Sequence, residues 1–465
     1  MHLWRQNSYT MIQGAPRWFL EHLGLHLSVP VEMGTLPGQR FGRVYKHRED
    51  WYGSLLLGNR VASGLTDRVV TIAHYYSQQG YHLPVEIHDK REVPSDCYPW
   101  HSLTANFRPY QDWVHERILR SDGTGVIDAP PRSGKTLMAA RAVDQYAQPT
   151  IILAPSLAIV RQTYLALVGI FGSELVARVD GDTPKSQRDI SKPIVIATVQ
   201  SAVKLPREFW DTRGMLIVDE FHHAASDTYH VINDLARNVY YRLCFTGTHW
   251  RTGEDGMAME AICSRVLASV PIPYLVEHKY LAEPYVHFVP FRAPPFPAGD
   301  WKEAHHLGII EHEMRNDLVV SYANQLAEQA PGIVLTSRRA HADYLGERIA
   351  ESEVVKGGAG ALTGKAIDRF KAGAYPVLVG TSVIGEGVDL PNAAWLLYAG
   401  GLGGSVQMMQ SFFRPLTASV ETGKTHGRVY DFRDLHHPTL QRQAESRIRL
   451  AEKYLGPWLH APLAA

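Results

Sequence analysis

The sequence has few cysteines, no long apolar run and no excess of charge of either sign. Cys97, Cys244 and Cys263 lie far apart and fit neither a disulfide framework nor a zinc-ligand spacing. The longest apolar stretch, residues 151–160, contains Pro155 and is too short to cross a bilayer. The opening "MHLWRQ" lacks the basic-then-apolar pattern of a secretory signal. A cytoplasmic protein with no membrane partner is the expectation. The 47 basic and 47 acidic side chains cancel, so bulk charge neither indicates nor excludes a nucleic-acid partner. A local groove of Lys, Arg and backbone N–H groups suffices for that.

What is present is an ordinary globular composition, 45% hydrophobic and 20% charged, over 465 residues. Global disorder is excluded, and about three domains are expected. Residues 1–105 read as a small α+β leading domain. In it "GAPRWFLEHLG" (14–24) is a helix stopped by Gly24, and "RFGRVYK" and "WYGSLLLG" are strands. "TDRVVTIAHYYSQQG" (66–80) is a helix with Thr66 as N-cap and Gly80 as its stop. "YHLPVEI" is an edge strand, because Pro84 has no N–H to give a ladder.

From residue 106 the rhythm becomes strand, loop, helix. "GTGVIDAP", "PTIILAP", "KPIVIAT", "GMLIVDE" and "YRLCFTGT" are apolar runs that end in small or polar residues, within a first lobe over 106–285. Such runs, separated by helices, predict a parallel sheet covered on both faces. "PFRAPPFPAGD" marks a proline-rich connection over 286–300. "GIVLTS", "YPVLVGTS" and "AAWLLYAG" repeat the rhythm in a second lobe over 301–440. A helix and tail over 441–465 are expected to pack back on that lobe.

In open α/β sheets ligands collect at the carboxyl ends of the strands. After the first run comes "APPRSGKT" (129–136). Backbone N–H groups around Arg132, Ser133 and Gly134, with the helix start behind them, suit phosphate oxygens. Lys135 is placed to reach the β- and γ-phosphates of ATP, and the Thr136 hydroxyl to sit on Mg²⁺. The glycine that usually opens such a loop is Ala129, so the string alone is only moderately specific. After the fourth run comes "LIVDEFHHA". Asp219 suits Mg²⁺, and Glu220 suits the orientation or deprotonation of an attacking water. His222 and His223 are adjacent, point apart and have no evident third ligand. His222 therefore reads as a relay rather than as half of a metal pair.

With these residues in view, the chain resembles the superfamily 2 helicases, and the ordered motifs run from residue 107 to about 420. "FRPYQ" resembles the segment upstream of the phosphate loop, which implies that Arg108 and Gln111 face the adenine. "LAPSLAIVRQ" and "IATVQS" resemble nucleic-acid contacts of the first lobe, implying roles for Pro155, Ser156, Arg161, Gln162, Thr198 and Gln200. "DEFH" matches the Asp-Glu-x-His box, and "FTGTHWR" the coupling motif, with Thr246 and Thr248 as its hydroxyls. "GIVLTSRRAHADYL" implies contacts through Ser337 and Arg338, and "VLVGTSVIGEGVDLP" through Thr381, with Gly387 and Asp389 on the ATP side. The resemblance implies two RecA-like lobes, ATP and Mg²⁺ as cofactors, and single-stranded, duplex or branched DNA as partner.

The leading domain narrows the resemblance to phage helicases of the UvsW type and their XPB-type relatives. This implies a bacterial or phage-infected cell and replication, recombination or defence proteins as associates. Arg40, Arg43, Tyr45, Lys46, Arg48 and Trp51 are its candidate DNA contacts; a packing module with a solvated basic face is the alternative. The sixth motif departs from the family's Gln-x-x-Gly-Arg-x-x-Arg. "QMMQSFFRPLT", counted from Gln410, keeps Arg414 and puts Thr417 in place of the second arginine. Counted from Gln407 it keeps Arg414 as the second and loses the first. The loss of one arginine leaves open whether hydrolysis is slow or whether Arg338, Arg339 or another group substitutes.

Overall fold

The computed structural model describes residues 1–31, 44–47, 50–95, 98, 103–121, 123–219, 226–247, 255–355, 360–381, 390–404, 406–417 and 423–460. Two compact units result: one is Met1–Ala129 with Gly134–Ser269, the other Pro130–Ser133 with Val270–Ala465. The first holds the leading domain and a RecA-like lobe; the second is a RecA-like lobe built on the same plan. The small α+β domain before two parallel-sheet lobes is therefore the fold.

The leading domain has strands β1 (His2–Arg5), β2 (Tyr9–Gln13), β3 (Ser28–Val31), β4 (Val44–His47), β5 (Asp50–Ser54), β6 (Arg60–Ala62) and β7 (Glu86–Asp89). They form one sheet ordered β6-β2-β1-β7 and another ordered β3-β5-β4. The last strand starts beyond Pro84 and lies at a sheet edge. Two helix limits differ from expectation. The first helix runs Arg17–His26, straight through Gly24. A Cβ on Gly24 would lie 3.3 Å from Ser54 Oγ, so this glycine serves close packing instead of termination. The second helix runs Thr66–Gln78 with Leu65 at the cap position, so Thr66 is its first residue. The Thr66 hydroxyl donates to Ser63 O at 2.7 Å in the preceding 3-10 turn.

The leading domain is seated on the first lobe through a polar, buried seam. Arg242 is 2% exposed, and its guanidinium donates to Asn233 Oδ1 at 2.6 Å, Ser8 Oγ at 2.7 Å and Ala236 O at 2.7 Å. Burial pushes its pKa down to about 10. The turn at Gly64 approaches so closely that a Cβ there would meet Glu260 O at 2.0 Å. Arg68 closes the rim on the Glu260 carboxylate at 2.5 Å.

The first lobe's strands are β8 (Thr124–Asp128), β9 (Thr150–Ala154), β10 (Val176–Val179), β11 (Ile194–Thr198), β12 (Met215–Asp219), β13 (Tyr241–Thr246) and β14 (Val266–Ser269). The order is β10-β11-β9-β12-β13-β8-β14, with every pairing parallel. Strands β8, β9 and β11 are buried at every residue, which explains why their sequences are apolar without alternation. Each large aliphatic side chain buried there contributes about 1.5–3 kcal/mol.

The second lobe has β15 (Glu283–Phe291), β16 (Gly332–Leu335), β17 (Ser352–Val355), β18 (Val377–Gly380), β19 (Trp395–Tyr398), β20 (His426–Asp434) and β21 (Leu459–His460), ordered β17-β18-β16-β19-β20-β15-β21. Strand β15 crosses the expected limit between the first lobe and the connection, so that part of the proline-rich run is sheet. Residues 292–298 beyond it carry no regular structure. The helix Pro438–Leu455 packs on the lobe with Leu440, Ala444, Arg447, Ala451 and Leu455 buried. Under the sheet lies a closed charge network. Arg315 Nε meets Asp434 Oδ1 at 2.6 Å, Arg447 Nε meets Asp431 Oδ2 at 2.7 Å, and all four side chains are at most 1% exposed.

Candidate functional site

The site in the first unit grows from the carboxyl edge of its sheet. Register pairs Asp128 of β8 with Thr246 of β13, and Phe245 of β13 with Asp219 of β12. Three neighbouring strands thus end at one level, each in a residue the sequence reading singled out or flanked. The loop after β8 leaves through Ala129, whose N–H donates to Thr246 O at 2.9 Å. That bond ties the start of the loop directly to the end of β13. Ala129 is fully buried and is not among the positive-φ positions, so a glycine is not needed there.

The bend comes later in the loop. Arg132 has φ 72° and Gly134 φ 77°, and Ser133 Oγ donates to Pro130 O at 2.7 Å across the turn. Gly134 caps the helix Lys135–Tyr146 in the left-handed conformation. A Cβ on it would lie 2.6 Å from Gln111 Nε2, so glycine answers both backbone and packing needs. Lys135 Nζ reaches Ala129 O at 3.5 Å, across the mouth of the loop. Gln111 is buried, and its Oε1 accepts the Arg108 N–H at 3.0 Å. That bond caps the helix Pro109–Leu119, and the Gln111 side chain lies beside Gly134 of the loop.

Thr136 stands in the first turn of that helix and Asp219 ends β12; both are partly buried. A hydroxyl and a carboxylate are the oxygen donors a hard divalent cation takes, so the pair fits Mg²⁺. Glu220, His222, Thr248, Gly387, Asp389 and Arg43 lie outside the described residues, as do Arg40 and Arg48.

The expected nucleic-acid residues divide by role. Ser156 caps the helix Leu157–Phe171, its Oγ accepting the Ile159 N–H at 3.4 Å. Thr198 caps the short helix Val199–Ala202 in the same way. Pro155 precedes the first of these caps, and Arg161, Gln162 and Gln200 are exposed. Arg161 makes only a rim ion pair, 3.6 Å from Asp182. In the second unit Ser337 and Arg338 follow β16, and Thr381 follows β18, again at carboxyl ends. Gln410 lies on the helix Val406–Phe412, and Arg414 opens the 3-10 turn Arg414–Leu416, whose Leu416 O accepts the Ala282 N–H at 2.9 Å. Arg414 is only 8% exposed. Lys46 is exposed on β4, where it is the register partner of Trp51 on β5; Tyr45 pairs with Tyr52.

Residues 104–251 match the family model "Type III restriction enzyme, res subunit", and residues 316–415 match "Helicase conserved C-terminal domain". In these two segments the chain resembles the helicases of superfamily 2. It is 28% identical over 343 residues to the Rad25 protein of Halobacterium salinarum, covering 70% of this chain and 54% of that relative. It is 24% identical over 430 residues to the DNA 3'-5' translocase XPB2 of Sulfurisphaera tokodaii, covering 79% and 92%. The ATP-dependent DNA helicase uvsW of phage T4 is 21% identical over 277 residues, covering 55% and 54%. The chain thus spans about half the length of the Rad25 relative, and its likeness is to the UvsW and XPB kinds. Among the described residues no helix is long and apolar enough to cross a membrane.

Sequence reasoning missed the support of the second lobe. Arg315 donates to Ala399 O, His305 Nε2 to Gly400 O and Arg447 to Leu402 O, at 3.0, 2.8 and 2.8 Å. These donors hold the glycine-rich segment that leads into Gln410 and Arg414. Only the length of the run "AGGLGG" hinted that something must fix it.

Proposed function

We propose that this chain is an ATP-driven translocase that acts on DNA. The observation that carries the reading is the level edge at which the phosphate loop, Thr246 and Asp219 end neighbouring strands, tied by the Ala129–Thr246 hydrogen bond. In this reading the loop amides and Lys135 bind the phosphates of ATP, Gln111 and Arg108 flank the base, and Glu220 orients the attacking water. Thr136 and Asp219 hold Mg²⁺, which when bound neutralises charge on the β- and γ-phosphates. Thr246 and Thr248, with His222, link the nucleotide state to the strand ends where nucleic acid is gripped. Gly387, Asp389, Gln410 and Arg414 belong to the second lobe's share of the ATP chemistry.

Arg161, Gln162, Gln200, Ser337, Arg338 and Thr381, with Arg43 and Lys46 of the leading domain, contact DNA through its backbone. Binding is then largely independent of sequence and strongly dependent on salt. Unwinding, branch migration or annealing of replication and recombination intermediates is the task that fits. The test is ATP hydrolysis with and without forked, four-way and single-stranded DNA, in wild type, Lys135→Ala and Glu220→Gln. Stimulation by DNA that both variants lose supports the motor. Equal slow hydrolysis in all three, with DNA still bound, leaves an ATP-gated DNA-binding subunit.

A second reading draws on the name of the family model matched by the first lobe. It makes the chain the motor of a restriction or defence complex whose nuclease is a separate chain. A nuclease that co-purifies with it distinguishes this case.

A further inference from the structure

The second lobe carries an open cleft of about 640 Å³, lined by Trp301, Lys302, His306, Ile310, Arg338 and Arg339 among others. Trp301 is 48% exposed, an unusual place for the largest apolar side chain. It is not there through looseness. Asp300 Oδ1 accepts the Glu303 N–H at 2.8 Å, and Glu303 Oε2 accepts the Gly299 N–H at 2.6 Å, so the start of the helix Trp301–His305 is clamped from both sides. The far end of that helix is fixed to the strand that presents the arginines. His305 is buried, and its Nε2 lies 2.8 Å from Gly400 O and 3.3 Å from Ser337 Oγ. The indole and the residues after β16 are therefore held as one surface.

Arg338 and Arg339 are exposed at that surface, and their guanidiniums make no hydrogen bond or ion pair with a described residue. The lobe's other arginines at comparable positions are committed: Arg348 to Asp317 and Arg369 to Glu353. Glu303, the acidic residue of the cleft, already spends one oxygen on Gly299. An exposed indole offers a flat face to any base, and two uncommitted guanidiniums offer forks to phosphate. A duplex keeps its bases stacked on one another and leaves none for the indole. A single strand provides both a free base face and flanking phosphates.

We propose that this cleft is a single-stranded DNA subsite, in which one base stacks on Trp301 and adjoining phosphates bind Arg338 and Arg339. The inference rests on the DNA-motor reading and deepens it. Residues 301–310 lie outside both segments matched by family models.

The experiment is a fluorescence-anisotropy titration of a labelled oligothymidylate with the full chain, repeated over a salt series. The variants are Trp301→Ala, Trp301→Phe and the pair Arg338→Gln with Arg339→Gln, and a second probe has the same backbone with abasic positions. Trp301→Ala is expected to bind the intact strand about 5- to 150-fold more weakly, the range one base–aromatic stack supplies. On the abasic strand it is expected to match wild type, and Trp301→Phe to retain most of the affinity on both. The double arginine variant is expected to lower the slope of log affinity against log salt by about 1.4, roughly 0.7 per lost contact. Trp301→Ala should leave that slope alone. Since Trp301 is exposed, thermal unfolding of Trp301→Ala serves as the folding control. A wild type that binds DNA while all variants bind it equally overturns the subsite and spares the motor reading. So does a Trp301→Ala loss of equal size on both probes. A wild type that binds no DNA at all overturns the motor reading itself.

Discussion

Replacing Asp431 with Asn should unbalance the second lobe from within. The network under its sheet holds two guanidiniums and two carboxylates, Arg315, Arg447, Asp431 and Asp434, shielded from solvent. Their charges sum to zero. Asp431→Asn is nearly isosteric and retains an oxygen for the Phe432 N–H, which now bonds Oδ1 at 2.7 Å. What it removes is the charge opposite Arg447 Nε at 2.7 Å. The nearest remaining carboxylate, Asp434, is 3.8 Å from Arg447 and already engaged by Arg315. Breaking a buried pair by removing one partner costs about 3–5 kcal/mol. The residual pull of Asp434 places this case near the lower end, about 3 kcal/mol, or about a hundredfold in the folding equilibrium. Native-state hydrogen exchange reads it locally: protection of β20 and of the helix Pro438–Leu455 should drop about a hundredfold. The exposed pair Asp317–Arg348 is the control, since Asp317→Asn should cost less than about 1 kcal/mol. A loss no larger for Asp431→Asn than for Asp317→Asn would refute the claim that the network carries the lobe.

Three further outcomes follow from the geometry. Burial, then Arg315 and His305, push the pKa of His341 down to about 3, whereas the unfolded chain takes that proton near 6.5. The stability due to the neutral ring is complete above pH 6.5 and is lost as pH falls towards 3, at up to ~1.4 kcal/mol per pH unit. Burial lowers the pKa of His305, His312 and His436 as well, so urea midpoints should fall steeply between pH 7 and pH 5, and less steeply in His341→Asn. Gly134→Ala should weaken binding of a non-hydrolysable ATP analogue by about 5- to 30-fold, the left-handed penalty of ~1–2 kcal/mol, with more from the Gln111 contact; calorimetry measures it. Arg242→Ala should loosen the leading domain by ~1.5–3 kcal/mol, because the charge-assisted hydrogen bond to Ser8 Oγ disappears, and faster proteolysis after Arg91 would report it.

The elements legible in the sequence were those whose burial is symmetric. Strands β8, β9 and β11 are covered on both faces, so their apolar runs are continuous and their ends stand out against loop residues. Strand β15 was hidden by Pro284 and Pro290. It pairs along its whole length with β20 but meets β21 only at Val286 and His287, so Pro290 lies where one side needs no donor. Gly24 looked like a helix stop because glycine has two uses, and only the neighbouring Ser54 shows which one applies. The loop after β8 and the strand end at Asp219 were readable because the apolar runs that lead into them are local in sequence. Arg242, Arg315 and Arg447 were not. A buried arginine and a surface arginine are the same letter, and the partners of Arg315 and Arg242 lie as far as 119 and 234 residues away. Trp301 was invisible for the opposite reason, since a sequence gives no sign that an aromatic residue faces outward.

The central claim is that the level strand edge of the first lobe binds ATP and that DNA drives its hydrolysis. It is tested most directly by the rate of phosphate release at saturating ATP, with and without single-stranded DNA, in wild type and Lys135→Ala. The account predicts a rate that rises with DNA in wild type and none above background in Lys135→Ala. A wild-type rate that ignores DNA, or a Lys135→Ala rate equal to wild type, would contradict it.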